Sequence, residues 1–172
     1  TPAISGSMAL IYQYLNESIH GLPFDKTKKI TSALLRAFAI AGSGDQANVD
    51  VGYGSLNLSK ILVYPNLDFG FGIRFYSDKI DHDEFISFFV KTDHVGPLSV
   101  TIAWIDVPIK LNTLYPLYSY FEFYVIGPNG VVYDVEEQFS TTKKIVINVA
   151  VATTLSLKMD NQPGSSSSSS RL

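Results

Sequence analysis

The histidines and the acidic residues beside them are the side chains of this sequence best suited to acid–base or metal chemistry. His82 lies among Asp81, Asp83 and Glu84, and carboxylate oxygens and imidazole nitrogens are donors that divalent cations accept. Charge clusters of this kind also form solvated loops between strands. We predict the solvated loop and keep a calcium site as the alternative.

The other two histidines lie at predicted element ends. His20 follows an apolar helical pattern, where the carbonyl groups of a last helical turn favour a cation. His94 stands beside Asp93, shortly before a Gly-Pro pair that indicates a turn. We interpret both histidines as structural or solvated side chains.

Two serines near the start of the sequence resemble nucleophiles only superficially. Acyl transfer by serine requires a base, a carboxylate that orients the base, and donors for the oxyanion. Ser5 and Ser7 flank Gly6, but a Gly-x-Ser-x-Gly elbow needs a second glycine where Ala9 stands. We predict no catalytic, cofactor-binding or metal-binding residue within this chain.

The aromatic residues allow two interpretations. Trp104 and the 10 tyrosines combine a ring with a polar atom, and such side chains suit a sugar-binding face. The same side chains fill the cores of sheet proteins. We predict a core role for them and keep sugar binding as the alternative.

Composition narrows the class of protein. The chain has 172 residues, is 46% hydrophobic and 17% charged, carries a net charge of −3 and contains no cysteine. Disulfides, thiolate zinc sites and cysteine nucleophiles are therefore excluded, and the absence of a basic excess argues against nucleic acid as a partner. No stretch reaches the roughly 18 to 20 uninterrupted apolar residues of a spanning helix, so we expect no membrane-spanning segment.

The elements that position these residues begin with two predicted helices. Residues 2–20 repeat apolar side chains at helical spacing, and the small Ser5, Gly6 and Ala9 lie between them. We predict a helix that is buried nearly all round, with a second backbone close to its small residues. Residues 27–41 repeat the helical pattern, with Asp25 or Thr27 as the predicted cap.

A glycine-rich passage separates the helices from the rest of the chain. Gly52 and Gly54 precede an apolar pair, which indicates a tight backbone passage into a short helical turn near residues 58–62. Pro65 and Asn66 indicate a boundary.

From residue 67 the apolar period changes to two, which is typical of strands. The predicted strands are Phe69–Phe75, Phe85–Val90, Leu98–Ile105, Tyr120–Ile126, Val131–Tyr133 and Ile145–Val151, with turns at 96–97 and 127–130. Short strands in this number favour a β-sandwich. The tail, with its six consecutive serines, is predicted to be a disordered linker.

The first 64 residues resemble the C-terminal end of a subtilisin-like serine peptidase domain. In that family the nucleophile lies in a Gly-Thr-Ser-Met-Ala-Thr-Pro run at the start of a buried helix, and Thr1 and Pro2 match its last two members. The Gly-Tyr-Gly-Ser-Leu-Asn-Leu passage at 52–58 resembles the Gly-x-Gly element that closes the domain. The resemblance implies that the serine, and the histidine and aspartate of the triad, lie upstream of Thr1.

The later strands resemble the sandwich that follows the catalytic domain in some members of that family. The matching motifs are Pro-Leu-Ser-Val-Thr-Ile-Ala-Trp-Ile-Asp-Val-Pro at 97–108 and Pro-Asn-Gly at 128–130. The chain departs from the family pattern at 119–123, where Ser-Tyr-Phe-Glu-Phe replaces an Asn-Asp-Leu-Asp-Leu run.

The resemblance therefore implies an α/β fragment at 1–64, an antiparallel, jelly-roll-like β-sandwich at 67–160 and a disordered tail at 161–172. It implies the C-terminal part of a serine endopeptidase that hydrolyses polypeptide substrates, inactive without its N-terminal catalytic portion. Secretion or display at the cell surface, and calcium in the intact protein, are further expectations by family analogy. The alternative is a non-catalytic adhesion or carbohydrate-binding module.

Overall fold

Two helices precede six strands in the described part of the chain. The computed structural model describes residues 2–17, 30–44, 50, 52–61, 79–81, 84–92, 95–107, 117, 119–135, 140–150 and 153–163. The helices are α1 (Pro2–Glu17) and α2 (Ser32–Ala41), and a short 3₁₀ helix spans Leu58–Lys60. The strands are β1 (Phe85–Thr92), β2 (Gly96–Ala103), β3 (Ser119–Ile126), β4 (Val132–Asp134), β5 (Thr142–Val149) and β6 (Thr153–Pro163).

Helix α1 buries one face only. Ile11 and Leu15 are 0% and 2% exposed and pack with Leu34 and Phe38 of α2 and with Ile61. These five residues form the helical cluster. The prediction that α1 is buried nearly all round is wrong for the described residues, because its other sides meet no layer of the chain there.

Helix α2 begins at Ser32, later than the period of its apolar residues predicts. Thr31 is extended, with φ −93° and ψ 160°, and its side chain accepts a hydrogen bond from the Leu34 amide at 3.2 Å. Thr31 is therefore the N-cap, which corrects the assignment to Asp25 or Thr27. Both of those residues lie outside the described residues.

The predicted glycine passage is confirmed. Gly52 and Gly54 have φ of 58° and 73°, values that favour glycine because a Cβ would crowd the backbone. Asn57 then caps the 3₁₀ helix by accepting from the Ser59 amide at 3.0 Å. The passage thus turns sharply before its apolar residues reach the helical cluster.

The strands form two antiparallel sheets. One has the order β1-β6-β3-β4 and the other pairs β2 with β5. Residues 127–130 make the predicted hairpin turn between β3 and β4, closed by Gly127 N to Val131 O at 2.8 Å. Gly96 and Pro97, predicted as a turn, instead begin β2.

The last strand, β6, is not among the predicted strands, although it is central to the larger sheet. It pairs with β1 on one side, where Phe88 faces Leu157, and with β3 on the other, where Val125 faces Leu157. It also continues through Pro163, so the predicted tail at 161–172 starts inside the strand. The predicted strand at 69–75 and the rest of the tail lie outside the described residues.

Both sheets contribute side chains to one hydrophobic cluster. This strand cluster consists of Phe123, Val125, Ile145, Ile147, Val149 and Leu155, each at most 5% exposed. Residues alternate between the two faces of a strand, so one face of the β2–β5 pair looks toward the larger sheet. Its other face contacts α2, and α2 thereby joins the two clusters.

Candidate functional site

In the acidic loop before β1, the described carboxylates contact groups of the same loop. Lys79 Nζ lies 2.6 Å from Asp81 Oδ1, and this hydrogen bond, with the charge of Asp81, raises the pKa of the Lys79 ammonium. The Asp81 amide donates to Glu84 Oε2 at 3.1 Å, and the Glu84 amide donates to Asp81 O at 3.3 Å. Asp81 and Glu84, the described carboxylates of the loop, are exposed, while His82 and Asp83 lie outside the described residues, so the solvated loop stays a prediction.

The histidines that could act in catalysis or metal binding, His20, His82 and His94, lie outside the described residues, as do Asp83 and Asp93. Within the described ranges, no group of three or more His, Cys, Asp or Glu side chains could hold a metal ion. The calcium alternative therefore gains no ligand set from the described side chains.

The serines of α1 lie at regular helical positions, Ser5 exposed and Ser7 half-buried. The Ser7 hydroxyl donates to the Ala3 carbonyl at 2.9 Å, the local bond that serine makes within a helix. Ser5 lies on the exposed side of the same helix. Neither position has the sharp turn that presents a nucleophile.

Trp104 is enclosed instead of being presented to a ligand. It is 9% exposed, and its ring meets Phe121 edge-on, with 5.0 Å between ring centroids. Its backbone amide donates to Thr141 O at 3.0 Å. This environment fits the predicted core role of the residue and removes it from any exposed sugar-binding face. The most exposed large aromatic residues described are Phe85 and Phe89 of β1, at 70% and 78%.

A face of α1 is the first region whose geometry suits binding. Helical periodicity places Ser5, Gly6 and Ala9 opposite the buried Ile11 and Leu15, and all three are exposed. A Cβ built on Gly6 would meet no atom within 4 Å. This face therefore carries only small side chains, and the space over Gly6 is open.

Large apolar side chains flank that small face. Leu10 and Tyr12 are each 50% exposed. A helix of a folded domain normally turns such residues toward the core, whereas here they border a strip of small residues. The strip and its apolar borders, residues 5, 6, 9, 10 and 12, are called the open face of α1 below. Its shape suits contact with a flat backbone surface such as a sheet.

The second region is the junction where β5 meets the C-terminal end of α2. The side chain of Lys144 is 5% exposed. Its Nζ lies within hydrogen-bonding distance of four backbone carbonyl oxygens, so its three N–H groups are shared among them: Ile40 at 3.2 Å, Ala41 at 3.2 Å, Ser43 at 3.3 Å and Gly44 at 3.0 Å. Carbonyls at the end of a helix lack partners inside the helix, and the ammonium supplies them with a charged donor.

A polar contact between α2 and the start of β5 lies near this junction. The Arg36 guanidinium donates to the Thr141 hydroxyl, and Thr141 O accepts the Trp104 amide. The same loop that Lys144 reaches is held by the glycine passage, since Gly44 N donates to Tyr53 O at 2.6 Å and Asn57 N donates to Gly42 O at 2.9 Å.

The sequence analysis missed Lys144 and Arg36. In the Lys-Lys pair at the start of β5, Lys143 is in phase with the buried Ile145 and Ile147, and a lysine at such a position indicates a partner, because lysine is rarely buried unless it is paired. Lys144 is in phase with the less buried Val146 and Asn148, so the strand pattern gave no signal for it. Arg36 offered no such signal, since it lies on the exposed side of an ordinary helical pattern.

Comparison with models of protein families and with curated proteins finds no match to this chain. Neither described helix has the length and apolar character needed to cross a membrane.

Proposed function

We propose that this chain is the C-terminal part of a subtilisin-like serine endopeptidase, with the end of the catalytic domain in its helical part. In this proposal the two sheets form an appended, jelly-roll-like β-sandwich. The nucleophilic serine lies in the residues directly before Thr1, and the histidine and aspartate lie further upstream. The substrates are polypeptides, and the family analogy places the enzyme outside the cell or at its surface.

The observation that carries the proposal is the open face of α1. A helix that follows the nucleophile of such an enzyme must lie against the parallel sheet of the domain, and small residues permit that approach. Gly6 has open space around it, and Leu10 and Tyr12 are half exposed. These are the features expected of a helix whose covering layer lies elsewhere in the protein.

The position of the glycine passage gives further support. A Cβ built on Gly42 would lie 3.0 Å from Leu56 Cδ1 and 3.1 Å from Asn57 O. The passage therefore packs tightly on the end of α2, as an element that closes a domain would. The passage also follows two helices in the chain, which is the order of the motifs in the family.

The proposed role of α1 in catalysis is positional. A residue at the N-terminal end of a helix is near free amide groups and the positive end of the helix dipole, which favours the charge that develops during acyl transfer. The serine attacks the peptide carbonyl carbon while the histidine takes its proton. The amine then leaves with a proton from the histidine, and water hydrolyses the acyl-enzyme.

Labelling of the protein that carries the residues before Thr1 tests the proposal. A fluorophosphonate probe reacts with an activated serine, so we expect one labelled serine within a Gly-Thr-Ser-Met-Ala run. Prior treatment with phenylmethylsulfonyl fluoride should block the label. Absence of labelling in a folded sample, or a label elsewhere, would defeat the endopeptidase proposal.

A second candidate function is a carbohydrate-binding module, and the exposure of Phe85 and Phe89 favours it. Both lie on the outer face of β1, four residues apart, at 70% and 78% exposure. Retention on an insoluble polysaccharide that Phe85→Ala and Phe89→Ala abolish would support this function. The matched control is Ser87→Ala, which changes the same face without removing a ring.

A further inference from the structure

Lys144 is the most unusual polar side chain in the described residues. A lysine almost never occurs fully buried unless its ammonium is paired. Here the ammonium lies within 3.3 Å of four carbonyl oxygens, contributed by the last turn of α2 and the loop after it. Oxygen clusters of this kind are typical ligands of cations.

The neighbouring lysine provides an internal reference. Lys143 is 1% exposed and lies on the opposite face of β5, where its Nζ is 4.6 Å from the centroid of the Tyr120 ring. The two lysines thus share burial, charge and strand, but only Lys144 reaches α2. A difference between their variants isolates the contact with the carbonyl oxygens.

We infer that the four carbonyl oxygens at the end of α2 form a cation site whose resident cation is the tethered ammonium of Lys144. This contact couples the stability of the α2 end to β5. The same cation site, emptied of the lysine stem, accepts a small primary ammonium ion. The inference does not depend on the peptidase proposal, because it concerns only contacts within this chain.

Four backbone amides report on the coupling. They belong to Gly42, Ser43, Gly44 and Asn57: the first two donate to carbonyls of α2, Gly44 donates to Tyr53 O, and Asn57 donates to Gly42 O. Amide hydrogen exchange measures the free energy of the local opening that exposes each one. Amides of β3 and β6 serve as the reference, since they lie away from the cation site.

The experiment compares Lys144→Met with Lys143→Met by hydrogen exchange. Methionine keeps most of the aliphatic stem and removes the charged donor. Hydrogen bonds to charged groups are strong enough that we expect exchange of the four reporter amides to rise about tenfold or more in Lys144→Met, relative to the reference amides. Lys143→Met should leave that ratio unchanged. Equal ratios in the two variants would overturn the inference.

Chemical rescue separates a cation site from simple packing. In Lys144→Ala, n-propylammonium replaces the lost atoms, whereas tetramethylammonium has no N–H to donate. We expect n-propylammonium to restore slow exchange of the reporter amides, and tetramethylammonium at the same concentration to leave it fast. Rescue by both salts, or by neither while the variant remains folded, would contradict the cation site. If Lys144→Ala does not fold without additive, recovery of folding with n-propylammonium alone supports the site, and failure to recover counts against it.

Discussion

The helical cluster and the strand cluster are built from similar apolar residues but are enclosed differently. The strand cluster takes buried side chains from both sheets, such as Phe123 of the larger sheet and Ile145 of the β2–β5 pair. To the helical cluster α1 contributes Ile11 and Leu15, while its Leu10 and Tyr12 stay half exposed on other sides of the helix. The difference teaches that similar apolar residues are largely buried in one region of the described chain and remain exposed in the other.

The largest expected effect concerns the enclosed core. Phe123 is 2% exposed and belongs to the strand cluster, so Phe123→Ala should lower the free energy of unfolding by about 3–5 kcal/mol. The matched control is Phe89→Ala, at a residue 78% exposed, with an expected change within about 0.5 kcal/mol. Chemical denaturation measures both. Similar losses of unfolding free energy in the two variants would contradict this account, because the strand cluster would then not be a buried core.

The close approach of the glycine passage to α2 gives the next effect. Gly42→Ala places a Cβ about 3 Å from Leu56, Asn57 and Ile61, and such overpacking should cost about 1–3 kcal/mol. Gly127→Ala is the control, because its Cβ would meet Tyr133 and Val131 at 3.5 Å or more, an ordinary contact. Thermal unfolding of both variants checks the difference. If Gly42→Ala is as stable as Gly127→Ala, the residues around Gly42 move to admit the methyl group at little cost, and the close approach does not matter for stability.

A smaller effect tests the start of α2. Thr31→Ala removes the oxygen that accepts the Leu34 amide, and loss of an N-cap costs about 0.5–2 kcal/mol. Thr31→Ser keeps the acceptor and should retain most of the stability. Circular dichroism during denaturation measures the two variants. Equal destabilisation by alanine and serine would mean that the methyl group, and not the cap, holds this end of the helix.

Much of the order of elements could be predicted from the sequence, because it depends on local periodicity. The 3.6-residue pattern of α1 and α2 and the two-residue pattern of β3 each follow from residues that are close in the chain. The Gly52 and Gly54 passage was predictable for the same reason, since positive φ is a property of single residues.

The missed features depend on contacts between distant residues. Strand β6 alternates Leu155, Leu157 and Met159 with polar residues, yet the Thr-Thr pair at its start and the polar residues at its end resemble a loop in isolation. Its pairing with both β1 and β3 determines the strand. Lys144 was missed for the same reason, because its carbonyl partners lie about a hundred positions earlier in the chain.

The prediction that α1 is buried nearly all round differs from the structure at the open face. The small residues predicted a close second backbone, and the structure leaves that side of the helix open at Gly6. Sequence pattern reports what a face is suited to contact, whereas the structure reports only the contacts within the described chain. The difference between the two is what the endopeptidase proposal explains.

The Gly6→Leu variant, measured in this 172-residue chain and in the protein that includes the residues before Thr1, tests the central claim most directly. The account predicts no loss of stability in the chain, where a Cβ at Gly6 meets nothing within 4 Å. In the longer protein it predicts a loss of about 1–3 kcal/mol from overpacking, with weaker fluorophosphonate labelling. An unchanged unfolding midpoint in the longer protein would contradict the claim that another layer covers this face.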